Sequence, residues 1–464
     1  MIMSDVLQEM LEKARAAQEQ IEHWPQDKVD EMVKVVAWEM IQPDHAKECA
    51  ELAAKETKMG VYENKYLKHR NKVLGALRDM EGQKSCGIVE EDEEKGIFKV
   101  AKPMGVIFAP TPCTNPTATP AVKSIFALKS RNAIIFAPHM IARRCSSKTV
   151  EYARAGLKKF GAPEDLIQVM EKPFIEDIQK LMSMCDIVVS TGGTQSVIAA
   201  YSSGKPALGV GAGNSVMIVD ETADLKDAAT KIMMSKTFDN ATSCSSENNV
   251  VIQESVYDQV VDALKDVGGY LCNAEEKARL KEAIWPDGEH INAKVVARPP
   301  IRIANKVADL GVPEDTKFLM VVGEDPVEGD KFADEKLSTV MTLWKYKSFD
   351  EAIDYLKRIH EIRGKGHCAG IHTKDENRIK ELAEQAKVSR LMVNQPQCLA
   401  NSGAWTNGMP FTMTLACGTW GNNSSTDNIT WRNWLNYTWV SRPIPEKLPD
   451  EEAMFASTWA KYGK

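Results

Sequence analysis

From residue 104 the chain alternates short apolar runs with stretches of helical spacing, and this alternation narrows the folds open to it more than any other feature. Val106-Ile-Phe-Ala precedes a helical pattern near 118–130, and Asn132-Ala-Ile-Ile-Phe-Ala precedes another near 145–160. Asp186-Ile-Val-Val-Ser leads through a glycine turn to a third near 194–202, and Pro206-Ala-Leu-Gly-Val closes the run. Strands this short and continuously apolar belong in a parallel sheet with helices on both faces. A second alternating region, about 215–420, holds Val216-Met-Ile-Val, a helix to Lys236, Asn249-Val-Val-Ile and Leu391-Met-Val. The expected fold class is α/β, with two doubly wound lobes and a cleft between them.

Two segments stand outside this pattern. Residues 4–80 show helical spacing, interrupted at Pro25 and Pro43. Residues 86–90 and 97–102 then read as a β-hairpin around an acidic turn, with no obvious place inside a doubly wound lobe. The hairpin is expected either at a sheet edge or as a protruding oligomerisation arm that adds a strand to another subunit. The tail 422–445 is rich in Asn, Ser, Thr and Trp, and its tryptophans argue for packing. The expected organisation is a dinucleotide-binding domain over 1–85 and 102–211, a catalytic domain over 212–421, and an arm from 86–101 and 422–445.

Composition excludes several classes of function. With 464 residues, 43% hydrophobic and 27% charged, the chain is an ordinary globular protein with room for a large core. A formal net charge of -7, with acids and bases interspersed, argues against nucleic acid as the main partner. No apolar run approaches the roughly 18 residues that span a membrane. The N-terminus opens an amphipathic helix and does not have the layout of a signal peptide. The ten cysteines form no CxxC pair and no metal-type spacing, so free thiols, no metal and a cytoplasmic location are expected. The sequons at Asn423, Asn428 and Asn436 then carry no information.

The candidate chemistry centres on Cys244, in the polar stretch Phe238-Asp-Asn-Ala-Thr-Ser-Cys-Ser-Ser-Glu247. A thiol in such a loop can meet a substrate, whereas most cysteines are small buried hydrophobes. Upstream, Thr111-Pro-Cys-Thr-Asn-Pro116 sets the amide of Asn115 on a proline-braced turn after an apolar run. Gly209-Val-Gly-Ala-Gly-Asn214 offers backbone that a cofactor can approach, although it is not GxGxxG and is a weak signal alone. A thiol nucleophile, an oxyanion donor and a cofactor loop are the parts needed to oxidise an aldehyde through a thioester. The plainer alternatives are a turn Asn at 115 and a loop His at 367 bonded to backbone.

In order along the chain, Lys102-Pro-Met-Gly-Val-Ile, Thr114-Asn-Pro, Ser190-Thr-Gly-Gly, Tyr201-Ser-Ser-Gly-Lys-Pro, Gly209-Val-Gly-Ala-Gly, the Cys244 segment, Gly366-His-Cys-Ala-Gly and Cys417-Gly-Thr-Trp-Gly resemble the aldehyde dehydrogenase superfamily. The likeness is to its CoA-acylating branch and covers nearly the whole chain. Residues 238–248 and 428–432 are most similar to members acting on sulfoacetaldehyde. The resemblance implies an NAD(P)-dependent oxidation of a small aldehyde to its CoA thioester, or the reverse; the hairpin at 86–101 and a tail strand near 435–442, read as edges that one subunit leaves open, point to a homodimer or homotetramer. Acetaldehyde, propionaldehyde and succinate semialdehyde are the alternative substrates. The competing classes are a hydrolytic aldehyde dehydrogenase, an acyl-phosphate reductase and a non-catalytic binding protein on the same scaffold.

The resemblance also implies roles. Cys244 matches the nucleophile, Asn115 the oxyanion donor, and His367 a residue that helps deprotonate the CoA thiol. Thr111, Pro112, Thr191, Gly192, Gly193 and Glu335 match dinucleotide contacts. Thr242, Ser243 and Ser245 flank the nucleophile as candidate pocket residues, while Trp405 and Trp420 are expected in core or interface. Val210 stands where hydrolytic relatives carry the Glu that activates water, and a Val cannot accept a proton. Ala137 and Met140 replace the Lys and Glu that usually hold the adenosine ribose. Loss of that acid removes a repulsion against a 2′-phosphate, so NADP is favoured with NAD still open.

Overall fold

The computed structural model describes residues 3–464; Met1 and Ile2, where the expected N-terminal helix begins, lie outside it. Four helices open the chain: α1 (Met3–Ile21), α2 (Gln26–Ile41), α3 (Pro43–Thr57) and α4 (Tyr62–Met80). Pro25 and Pro43 prove to be start signals. Pro25 is the N-cap of α2 and Pro43 sits in the first turn of α3, where a missing N–H costs nothing. α2 turns Val29, Met32, Val33 and Val36 into a core shared with the first sheet.

That sheet is built from β3 (Val106–Thr111), β4 (Ala133–Pro138), β5 (Ile167–Val169), β6 (Ile187–Ser190) and β7 (Ala207–Gly209), with α5 (Ala118–Lys129), α6 (Arg143–Phe160), α7 (Ile175–Met184) and α8 (Thr194–Tyr201) between strands. All its strand pairs are parallel, in the order β5-β4-β3-β6-β7. The chain leaves β3 toward β4 and later returns to β3's other side with β6. The carboxyl ends of β3 and β6 therefore flank a switch point, where open α/β sheets bind ligands.

The second sheet orders its strands β10-β11-β12-β9-β8-β13-β14, again all parallel. They are β8 (Val216–Val219), β9 (Asn249–Gln253), β10 (Gly269–Leu271), β11 (Phe318–Val322), β12 (Val340–Tyr346), β13 (Ala369–His372) and β14 (Leu391–Val393), and α9 (Leu225–Thr237) joins β8 to the loop that enters β9. Sequence pattern does not mark β10, β11, β12 or β13. In β12, Val-Met-Thr-Leu-Trp-Lys-Tyr breaks its apolar run with Thr342 and Lys345. Thr342 is nevertheless buried, because its hydroxyl donates to the carbonyl of Phe332 at 2.6 Å.

The hairpin is β1 (Gly87–Asp92) and β2 (Ile97–Pro103), and the tail supplies β15 (Leu435–Ser441). β15 pairs antiparallel with β2 from Leu435↔Pro103 to Ser441↔Ile97, giving a third sheet in the order β1-β2-β15. Trp431 and Trp434 anchor the tail in the first core, with Trp434 edge-on to Phe126 at 5.9 Å. A further helix, Glu451–Tyr462, follows the tail and is exposed along almost its whole length. No described helix is long and apolar enough to cross a membrane.

Candidate active site

Cys244 lies on the loop between α9 and β9, and its backbone is forced there by a run of left-handed residues. Asp239, Asn240 and Ala241 have φ of 53°, 52° and 59°. Such conformations cost on the order of 1–3 kcal/mol each for side chains other than glycine, so something must hold them. The holder is Asp239. Its amide donates to Asn64 Oδ1 (2.8 Å), and its carboxylate accepts from Val61 N (2.9 Å), Lys68 Nζ (2.8 Å), Lys65 Nζ (3.3 Å) and Thr242 Oγ1 (2.8 Å). All three charged groups are buried, and the two lysines hold the Asp239 carboxyl below its ordinary range despite that burial. α4 therefore presents Lys65 and Lys68 inward, where helical spacing in the sequence gives no reason to expect lysines.

The same Lys68 orients Asn115. Its Nζ lies 2.8 Å from Asn115 Oδ1. An ammonium only donates, so the nearby atom must be the amide oxygen, and Nδ2 is left as the donor toward the cleft. Asn115 lines that cleft together with Cys244, Thr242 and Ser243.

Behind the thiol, Cys244 Sγ lies 3.0 Å from His367 Nε2, and His367 Nδ1 lies 3.1 Å from Cys368 Sγ. His367 is thus bonded to the nucleophile rather than to backbone, and it sits fully buried beneath the cleft. Burial, with the Arg390 cation close by, pushes its pKa down to about 3, so the ring is neutral at physiological pH. Burial and the Glu335 carboxyl push the Cys244 thiol well above its ordinary value. With the ring proton on Nδ1, Nε2 can accept the thiol proton as sulfur attacks. Arg390 fixes this side of the site by donating to the carbonyls of His367 (3.0 Å) and Ala416 (2.6 Å).

The cleft encloses about 1120 Å³ and runs from Cys244 to the switch point of the first sheet. Thr111, Pro112, Thr191, Gly192, Gly193 and Glu335 all line it, as do Val210, Ala137 and Met140. These residues fit an elongated dinucleotide. Thr111 Oγ1 and Glu335 Oε1 are buried yet have no partner among the described residues. Gly193 is the N-cap of α8 without a side-chain cap, and a Cβ there would meet nothing, so the helix's first N–H groups can approach a pyrophosphate. Gly213 allows the loop to pass the nucleophile, since a Cβ at this position would lie 2.5 Å from Cys244 Cβ and 2.7 Å from Glu335 Oε1. Burial raises the Glu335 carboxyl to about 8, keeping an acid poised there to bond hydroxyls.

One expectation for the pocket residues needs correction. Ser245 does not reach the cleft. It is fully buried, with its hydroxyl 2.9 Å from Ser243 Oγ, because the turn after Cys244 carries its side chain inward. Trp405, expected in core or interface, is 52% exposed and lines a second hollow of about 390 Å³, packing on Phe411 at 5.0 Å. Trp420, also 41% exposed, lines neither space. Sequence reasoning missed Asp239, Lys65, Lys68 and Arg390. The one signal was the lysine spacing on α4, which alone reads as a solvated face.

A half-buried thiol bonded to a neutral imidazole, with a carboxamide and an elongated cleft beside it, is the arrangement of a thiol-dependent dehydrogenase. The chain belongs to the aldehyde dehydrogenase family, whose model matches residues 3–268. It is 45% identical over 449 residues to a sulfoacetaldehyde dehydrogenase of an Acholeplasma species, covering 96% of this chain and 92% of that protein. It is 44% identical to an acylating sulfoacetaldehyde dehydrogenase of Bilophila wadsworthia, covering 98% of this chain and 99% of the relative. Among solved structures, an acetylating aldehyde dehydrogenase of Geobacillus thermoglucosidasius superposes with a TM-score of 0.92 at 34% identity, over 96% of this chain and 98% of its own.

Proposed function

We propose that the protein catalyses the NAD(P)-dependent, CoA-acylating oxidation of sulfoacetaldehyde to sulfoacetyl-CoA, or its reverse. The observation that carries this reading is the Cys244–His367 pair in a cleft whose wall holds Val210 in place of a base. Cys244 Sγ adds to the aldehyde carbon as its proton passes to His367 Nε2. Asn115 Nδ2 and the Cys244 N–H face the oxygen as it becomes negative; one such donor is typically worth about 2.7–4 kcal/mol of barrier. Thr111, Thr191 and Glu335, which line the cleft with Cys244, would hold a nicotinamide dinucleotide, and that group would supply the hydride acceptor. What remains on Cys244 is a thioester. Val210 takes no proton from water, so the thiol of CoA is the nucleophile that releases the acyl group. The proton first taken from Cys244 leaves to solvent through His367, and the CoA proton returns by way of the neutral His367 Nε2 to the departing Cys244 thiolate. The sum is aldehyde, CoA and NAD(P)+ going to acyl-CoA, NAD(P)H and a proton.

The substrate assignment is supported by the sulfoacetaldehyde-named relatives and the cofactor assignment by the cleft. NADP is favoured over NAD because no acid occupies 137–140. Among the described residues the three-stranded sheet ends on both sides without a partner strand, with Tyr437 and Trp439 exposed on β15, which supports a homodimer or homotetramer. A monomer by light scattering at micromolar concentration refutes that assembly. The test of the reaction is initial rates with sulfoacetaldehyde, acetaldehyde, propionaldehyde and succinate semialdehyde, with and without CoA. Turnover should require CoA. Sulfoacetaldehyde should exceed acetaldehyde more than tenfold in kcat/KM, a difference of about 1.4 kcal/mol. Free acid formed at the same rate without CoA overturns the acylating reading.

A further inference from the structure

α4 carries Lys65, Lys68 and Lys72 on one inward face, and Asp239 bonds the first two. Lys72 is different. Its Nζ donates to Ser402 O (3.0 Å), Ser402 Oγ (2.7 Å) and Gly403 O (2.8 Å), all of them neutral acceptors. The Phe411 ring centre lies 5.0 Å away. The ammonium is therefore held in position while its charge is left uncancelled. It stands on the wall of the hollow of about 390 Å³, which shares Asn115, Ser243 and Ser402 with the dinucleotide cleft and so opens onto the reacting centre. Among the described residues lining it, Lys68 and Lys72 carry the charge and there is no carboxylate. The remaining wall is apolar or neutral, including Leu399, Trp405 and Phe411.

We propose that Lys72, with the Ser402 hydroxyl, forms the anion subsite that recognises the sulfonate of the substrate; this rests on the reaction proposed above. A half-buried cation facing only neutral groups is stabilised when an anion joins it. Burial pulls the Lys72 ammonium down to about 7, which a bound anion would reverse. A sulfonate presents three equivalent oxygens and stays ionised, which suits a compact ammonium better than a planar fork. Ser402 Oγ accepts from Lys72, so its own hydrogen is free for a sulfonate oxygen. Lys68 is a weaker candidate because the Asp239 carboxylate already cancels its charge, whereas Lys72 would exchange one of its neutral acceptors for a sulfonate oxygen.

The test is the ratio of kcat/KM for sulfoacetaldehyde to that for acetaldehyde in the wild type, Lys72→Gln and Lys72→Arg. Lys72→Gln should lower the ratio at least tenfold, and Lys72→Arg should restore part of it. A ratio unchanged in Lys72→Gln, with both rates falling together, overturns the subsite while leaving the acylating reaction intact. Wild-type enzyme that shows no preference for sulfoacetaldehyde overturns the substrate reading itself. If the Gln variant does not fold, the wild type still decides. Ethanesulfonate should compete with sulfoacetaldehyde at least tenfold better than the neutral ethyl methyl sulfone, and equal inhibition by the two overturns the proposal.

Discussion

Lys68→Met isolates how far the oxyanion donor depends on its anchor. The ammonium makes three bonds, to Asn115 Oδ1, Asp239 Oδ2 and Thr242 Oγ1. Methionine keeps the length of the side chain and removes the charge. Asp239 retains Lys65, Val61 N–H and Thr242, so the cost to stability is about 1–3 kcal/mol, that of a weakened rather than abandoned buried charge. The catalytic cost is separate. A correctly aimed oxyanion donor accounts for roughly 10²–10³ in kcat. Without Lys68 the Asn115 amide is free to turn its oxygen toward the cleft, so kcat should fall by about 10- to 100-fold. The assay is a double-mutant cycle on kcat with Lys68→Met, Asn115→Ala and the pair, with each variant's fold checked by its melting curve. If Lys68 acts through Asn115, the double variant is little worse than Asn115→Ala, and the coupling is about 1.4–2.7 kcal/mol. Effects that simply multiply refute the anchoring argument.

Cys244→Ala should abolish acylation while cofactor binding, read by nicotinamide fluorescence, persists; acylation near the wild-type rate moves the nucleophile elsewhere. Val210→Glu should add free-acid production without CoA, and a folded, cofactor-binding variant that still requires CoA shows that the missing base does not select thiolysis. Met140→Glu should shift the preference between NADP and NAD at least tenfold toward NAD, measured as a ratio of kcat/KM; no shift removes residue 140 from ribose recognition. Burial holds His367 at about 3 and His69, His360 and His372 at about 4, below the unfolded value near 6.5. Their contribution to stability is complete above pH 6.5 and is lost as pH falls toward those folded values. Glu247 and Glu335, raised by burial to about 7 and about 8, oppose this because the fold already holds their protons. The histidines outweigh them between pH 6 and 5, where stability should drop by roughly 2–3 kcal/mol per pH unit. Urea midpoints at the two pH values measure it, and a midpoint that rises on acidification refutes the balance.

The first sheet was legible in the sequence because its strands are short, apolar and separated by well-marked helices. The second was legible only at β8, β9 and β14. β12 escaped because a polar Thr342 in its centre is satisfied by the carbonyl of Phe332 in the loop leading into the strand, a contact that strand periodicity does not reveal. Cys244 and Asn115 stood out through small polar neighbours and a proline-braced turn. The groups that position them did not. Lysines three apart on a helix look solvated, and their meaning depends on Asp239, more than 170 positions away. His367 was visible as a loop histidine, but its orientation toward sulfur is a tertiary fact. Ser245 was misplaced because adjacency in sequence says nothing of which way a turn sends each side chain.

The three bonds of Lys68 have a consequence for anyone exchanging parts between related enzymes. Asn115 follows a strand of the first sheet, Asp239 and Thr242 precede a strand of the second, and the ammonium that touches all of them rides on a helix belonging to neither sheet. The unit of inheritance for this chemistry is therefore larger than the cysteine loop. A chimera that transplants residues 238–248 alone should carry a nucleophile with the wrong support, whereas one that moves α4 with the loop should keep the left-handed turn and the amide in register.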